Sequence, residues 1–169
     1  MSLTKTPICD FGKQAENFKL KSTDGKFLKL EDLKGKNGTL IMFICNHCPY
    51  VKAIISDVVK DCNVLTKFGV NSVAICSNDV VNYPEDSFEN MSIFSKKNNF
   101  NFSYLHDETQ EIAKKYGAVC TPDFFGYNAN LELQYRGRIR ELKDLKPVRD
   151  KDSDLLLAMK QISKTGNGP

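Results

Sequence analysis

Apolar and polar residues alternate over residues 17–21, where Phe18 and Leu20 stand between Asn17, Lys19 and Lys21. Ser22, Thr23, Asp24 and Gly25 then signal a turn, and residues 26–30 return with Phe27, Leu28 and Leu30, so the chain opens on a β-hairpin. After the polar loop of residues 34–38 the pattern changes. Thr39, Leu40, Ile41, Met42, Phe43 and Ile44 are almost continuously apolar, which suits a strand covered on both faces, and the run ends at Cys45. Val51, Ile54, Ile55, Val58, Val59, Cys62 and Leu65 then recur at helical spacing over several turns. Residues 70–76 read as a second buried strand, 78–84 as a loop of turn formers, and 85–97 as a weaker helix with Phe88, Met91 and Phe94 inward. A short strand follows at 103–105, and Asp107 stands three residues before Gln110 as an N-cap with its partner, opening a helix that ends near Gly117. Residues 123–127 and 131–135 form a second hairpin. A last amphipathic helix over 152–163 carries Leu155, Leu156, Met159 and Ile162, and residues 164–169 are expected to fray.

This order of elements has no internal repeat and no linker long enough to divide it. Residues 1–169 therefore read as a single α/β domain, a central mixed sheet flanked by helices with the N-terminal hairpin as an extension. Hydrophobic residues at 41% and charged residues at 27% lie near globular averages, which excludes a disordered or fibrous chain. The net charge of +3 is small and its Lys and Arg residues are scattered, so nucleic acid is not an expected partner. No apolar run approaches a membrane span and the first residues show no secretory pattern. The chain reads as soluble and cytoplasmic, with no membrane partner.

The cysteines are Cys9, Cys45, Cys48, Cys62, Cys76 and Cys120, and only Cys45 and Cys48 are close in sequence. One close pair in a chain of this length reads as a redox or metal site rather than a disulfide framework. The pair lies between a buried strand and a helix, where unpaired N–H groups and the helix dipole favour a thiolate. The expectation is that Cys45 caps the helix, is the more exposed sulfur and has the lowered pKa, with Cys48 one turn in as its resolving partner. His47 can lend the thiolate a hydrogen bond or a positive charge. Cys62 and Cys76 fall on apolar faces and read as core.

The string Phe43-Ile44-Cys45-Asn46-His47-Cys48-Pro49-Tyr50-Val51-Lys52, with residues 116–123 and 135–139, resembles the peroxiredoxin-like group in the AhpC/TSA and redoxin branch of thioredoxin-fold proteins. The likeness runs from about Phe11 to Lys160. It implies a thioredoxin-like fold, a redox-active thiol able to form a disulfide, and antioxidant chemistry. Thioredoxin folds set a cis-proline beside the dithiol to shape the partner-binding surface, and Thr121-Pro122 stands in that place, next to Cys45, with Cys120 directly before it. Peroxiredoxins carry a Thr or Ser three residues before the peroxidatic cysteine and an Arg from a later strand. Here Cys48-Pro49 matches the peroxidatic pair, Cys45 occupies the hydroxyl position, and Thr121, Pro122 and Asp123 stand where the Arg would be sought. Ile44 replaces the Trp of thioredoxin itself, and the preceding strand holds no acidic residue to take the second thiol's proton.

Three readings follow. The first is a thiol–disulfide oxidoreductase in which Cys45 exchanges with a protein or small-thiol partner, Cys48 resolves, and no cofactor is needed. The second is a thiol peroxidase with Cys48 peroxidatic. The third is a module binding Cu(I) or Zn(II) through Cys45, His47 and Cys48, weakened by the lack of a second ligand pair in the sequence.

Overall fold

The computed structural model describes residues 10–118, 121–140, 142–143, 146–147 and 152–169; Cys9 and Cys120 lie outside them. The N-terminal hairpin is β1 (Lys19–Ser22) and β2 (Phe27–Lys29), followed by a single helical turn, α1 (Leu30–Leu33). The apolar run becomes β3 (Gly38–Phe43) and leads into α2 (Pro49–Thr66) and β4 (Val70–Cys76). Then come α3 (Phe88–Lys97), β5 (Ser103–His106), α4 (Glu111–Tyr116), β6 (Asp123–Asn128) and β7 (Leu133–Gly137). Two short paired strands, β8 (Leu142–Lys143) and β9 (Lys146–Pro147), precede α5 (Asp154–Thr165).

Seven strands make one sheet in the order β2-β1-β5-β4-β3-β6-β7. β3, β4 and β5 are parallel, β6 runs antiparallel beside β3 with β7 antiparallel to β6 at the edge, and the hairpin joins the other side through the antiparallel pair β1 and β5. The sheet is thus mixed, and the hairpin extends it. Alternation along β3 explains its uninterrupted apolar sequence. Leu40 and Met42 pack on one face with Val51, Ile54 and Val58 of α2 and Leu155 and Met159 of α5. Ile41 and Phe43 pack on the other with Phe18, Leu30, Ile112 and Tyr116. Both faces are buried, so neither sets a polar period of two. Among the described residues no helix is long and apolar enough to cross a membrane.

Three local expectations are corrected. The helix sought over 85–97 is a 3-10 turn at Pro84–Asp86 followed by α3, because Ser87 accepts the Asn90 N–H and restarts the helix as a side-chain cap. Asp107 is not the residue that flanks α4; Gln110 is. The buried Asp107 carboxylate nevertheless accepts from Ile112 N and Ala113 N at 3.3 and 3.0 Å, capping the helix from a distance. At the C-terminus, Thr165 is still helical and Gly168 N donates to Gln134 Oε1 at 3.2 Å, so those residues are tied to β7 rather than frayed.

The loop before β3 is set by a close approach. A Cβ on Gly35 would overlap the Gly38 carbonyl oxygen and stand 2.6 Å from Asn71 N and 2.7 Å from Gly69 O, all backbone atoms that cannot swing aside. Asn37 pins the same junction, donating from N to Gly69 O and from Nδ2 to Phe68 O, each at 2.9 Å. This seats Gly38 opposite Val70 and fixes the β3–β4 register that delivers Cys45. Gly35→Ala should lower unfolding stability by about 1–3 kcal/mol through overpacking. A denaturant midpoint equal to the parent's would show that the loop can give way.

Candidate active site

Beyond β3, Ile44 N donates to Ile75 O at 3.0 Å, and the chain leaves the sheet as Cys45, Asn46, His47 and Cys48 before α2 begins at Pro49. Proline has no N–H to lose and a φ suited to the first helical position, so it starts the helix and makes the residue before it the cap. That residue is Cys48, not Cys45. The cap expected at Cys45 therefore falls on Cys48. Cys45 is 1% exposed and Cys48 4%, so the first cysteine is not the more accessible one.

The electrostatics follow the same asymmetry. Both residues are reduced cysteines, hydrogen bonded to each other. The bond from Cys45 draws the Cys48 pKa down to about 5; the backbone N–H groups of Val51 and Tyr50, at the positive end of α2, pull the same way against the opposing effect of burial. Cys45 is driven far above an ordinary thiol by its bond to Cys48 and by burial, with the Asp86 carboxylate adding to the rise and Thr121 opposing it. The same contacts thus favour the thiolate form of Cys48 and the thiol form of Cys45.

Asp86 holds this loop in place. Fully buried, it accepts Asn46 N at 2.7 Å through Oδ1 and Asn78 Nδ2 at 2.8 Å through Oδ2. Asn46 in turn donates from Nδ2 to Glu85 O at 3.0 Å and accepts the Tyr104 hydroxyl at 2.8 Å, so Asn78, the Glu85–Asp86 turn and Tyr104 together lock the motif. His47 Nδ1 lies 2.6 Å from Asp86 Oδ2, close enough for an ion pair, yet it has no partner aligned for a hydrogen bond. Tyr83 stacks on the imidazole, with ring centroids 5.0 Å apart and planes 13° from parallel.

The Thr121–Pro122 peptide is cis, and Thr121 lies against both sulfurs. Its Oγ1 is 3.4 Å from Cys45 Sγ and its carbonyl oxygen 3.6 Å from Cys48 Sγ. A cleft of about 520 Å³ opens here, lined by Phe43, Tyr83 and Lys114 together with Cys45, Cys48 and Thr121. Cys62 and Cys76 are core residues, with thiols pushed up by burial to about 12 and about 11. Arg136 of β7 is ion-paired to Asp123 at 2.8 Å and donates to Gly117 O at 2.8 Å.

Cys45, His47, Cys48 and Thr121 are thus brought together, while Cys120 lies outside the described residues. Asp86, Tyr83, Asn46 and Tyr104 were missed by sequence reasoning. Pro49 was the overlooked signal for the helix start. Nothing near Asp86 distinguishes it from any acid in a turn.

The sequence model of the AhpC/TSA family matches residues 11–142. Among curated proteins none matches. A solved structure of an uncharacterized conserved protein from Geobacillus kaustophilus is 38% identical with a TM-score of 0.89, covering 98% of this chain and 90% of its own. A hypothetical protein from Sinorhizobium meliloti 1021 is 33% identical with a TM-score of 0.87, covering 96% and 88%. A secreted disulfide oxidoreductase from Mycobacterium tuberculosis, at 19% identity and a TM-score of 0.61 over 75% of this chain and 87% of its own, shares the fold.

Proposed function

Because this chain belongs to the AhpC/TSA family, a redoxin family of thioredoxin fold, we propose that it is a thiol–disulfide oxidoreductase in which Cys48 attacks and Cys45 resolves. The observation that carries this reading is the unequal pair: a Cys48 thiolate capping α2 and a Cys45 thiol bonded to it. Exchange needs one thiolate near neutral pH and a neighbour that waits until the first bond has formed.

Cys48 Sγ attacks one sulfur of a partner disulfide, the partner's S–S bond breaks, and the departing thiolate takes a proton from solvent. Bonding removes the charge from Cys48. The hydrogen bond and the negative charge that held the Cys45 proton vanish together, so the resolving thiol is released only after the attack. Cys45 then gives up its proton, with the His47 ring near enough to take it directly or through one water, and attacks Cys48. The second partner thiol leaves. The partner has gained two electrons and two protons, and the chain holds a Cys45–Cys48 disulfide. Thr121 and Pro122 offer the surface against which the partner's backbone rests.

One observation favours a second reading, thiol peroxidase. Cys48 directly precedes Pro49 at the helix start, the position of a peroxidatic cysteine.

Alkylation of the metal-free, reduced protein tests the assignment. Iodoacetamide should label Cys48 first, with a rate that rises through a midpoint near pH 5 because the reactive form is the thiolate, while Cys45 stays slow up to pH 9. A midpoint near the free value of about 8.5, or Cys45 labelled first, would remove the basis for the proposed roles.

A further inference from the structure

The exchange chemistry has no need of a carboxylate beside the resolving thiol, yet Asp86 is fully buried there. We propose that the reduced protein binds one zinc ion through Cys45 Sγ, the His47 imidazole and an Asp86 carboxylate oxygen.

The three donor atoms come from two separate segments and all lie within 4.8 Å of one another. Zinc bonds of roughly 2.0–2.3 Å hold tetrahedral ligand atoms about 3.3–3.8 Å apart, so an ion would need only small side-chain shifts. The donor set selects the metal class. An all-oxygen site would suit calcium or magnesium and an all-sulfur site copper(I), whereas one thiolate, one imidazole and one carboxylate suit zinc. A tetrahedral ion held by these three donors has a fourth position for water.

Each ligand is oriented by groups that do not touch the ion. Asn46 N and Asn78 Nδ2 fix the carboxylate, and Tyr83 stacks on the imidazole. The approach of His47 Nδ1 to Asp86 Oδ2 at 2.6 Å without an aligned hydrogen bond is the remaining clue. The ring nitrogen and the carboxylate oxygen are already neighbours, so one ion can be bound by both. The inference does not rest on the exchange reaction: zinc would occupy the reduced protein, and a Cys45–Cys48 disulfide would deprive it of its sulfur ligand.

The test is titration of the whole reduced chain with zinc, against a chromophoric chelator, and with cobalt(II) as a spectroscopic probe. One equivalent should bind, with thiolate-to-cobalt charge transfer and the intense visible bands of a four-coordinate site. Asp86→Asn and His47→Ala should each weaken zinc binding by at least about tenfold. His47→Ala keeps the test open if Asp86→Asn fails to fold, since the His47 side chain is 27% exposed. Zinc affinity unchanged in His47→Ala would mean that the dithiol alone holds the ion, and would overturn the site. Absence of stoichiometric binding in the parent would do the same.

Discussion

Cys48→Ser should lose disulfide exchange by on the order of 10³-fold or more, while Cys45→Ser should react once and stop as a stable mixed disulfide on Cys48. The two outcomes follow from which sulfur caps α2. The thiolate at position 48 is sustained by the neighbouring thiol and by the Tyr50 and Val51 N–H groups, and a serine hydroxyl there cannot attack a disulfide. With Cys45 replaced, Cys48 keeps the helix cap and its nucleophile, but the second step has no attacking group. Mass spectrometry after mixing each variant with oxidised glutathione reads the result directly. An adduct trapped in Cys48→Ser together with an inert Cys45→Ser would restore the order expected from the sequence alone. The peroxidase reading gives a third pattern: peroxide consumed by the reduced parent much faster than glutathione disulfide, and a sulfenic acid appearing rapidly on Cys48 in Cys45→Ser.

Asp86→Ala should destabilise the fold by about 3 kcal/mol, a large fraction of the stability of a domain this size. The carboxylate is the acceptor for Asn46 N and Asn78 Nδ2, and Asn46 is itself only 7% exposed, so the truncation leaves a buried N–H without a partner. A donor stranded in that way costs about 1–3 kcal/mol, and bonds to a charged acceptor add to the loss. Relief of the carboxylate's own burial offsets part of this without cancelling it. Asp86→Asn keeps an acceptor oxygen and should fall less than half as far. Urea unfolding with an unchanged slope would measure both. A shift under 1 kcal/mol for Asp86→Ala would show that the motif loop is held mainly by Asn46 with Glu85 and Tyr104.

The family was legible through the resemblance of the Cys45–Lys52 string, and the thioredoxin-like fold because it rests on local pattern. The two-faced burial of β3 appears as an unbroken apolar run, the single buried face of α2 as a 3.6-residue period, and the dithiol as a C-x-x-C string at their junction. Thr121-Pro122 was legible for a similar reason, since it falls between a helix and a strand in chain order. The helix cap was not read correctly, although Pro49 marked it. Apolar periodicity locates a helix by its buried face, first seen at Val51, and says little about where its N-terminus begins.

Asp86 lay beyond any local reading. It reaches the motif across 40 residues of chain, brought there by β4 and the turns before α3, and a carboxylate's burial depends on which N–H groups surround it. The amino-acid sequence by itself determined that a strand would carry two thiols to the start of a helix. Only the tertiary structure decided which thiol caps that helix and which carboxylate stands beside the pair, because the environment of a buried group is set by neighbours that are near in space and far apart in the chain.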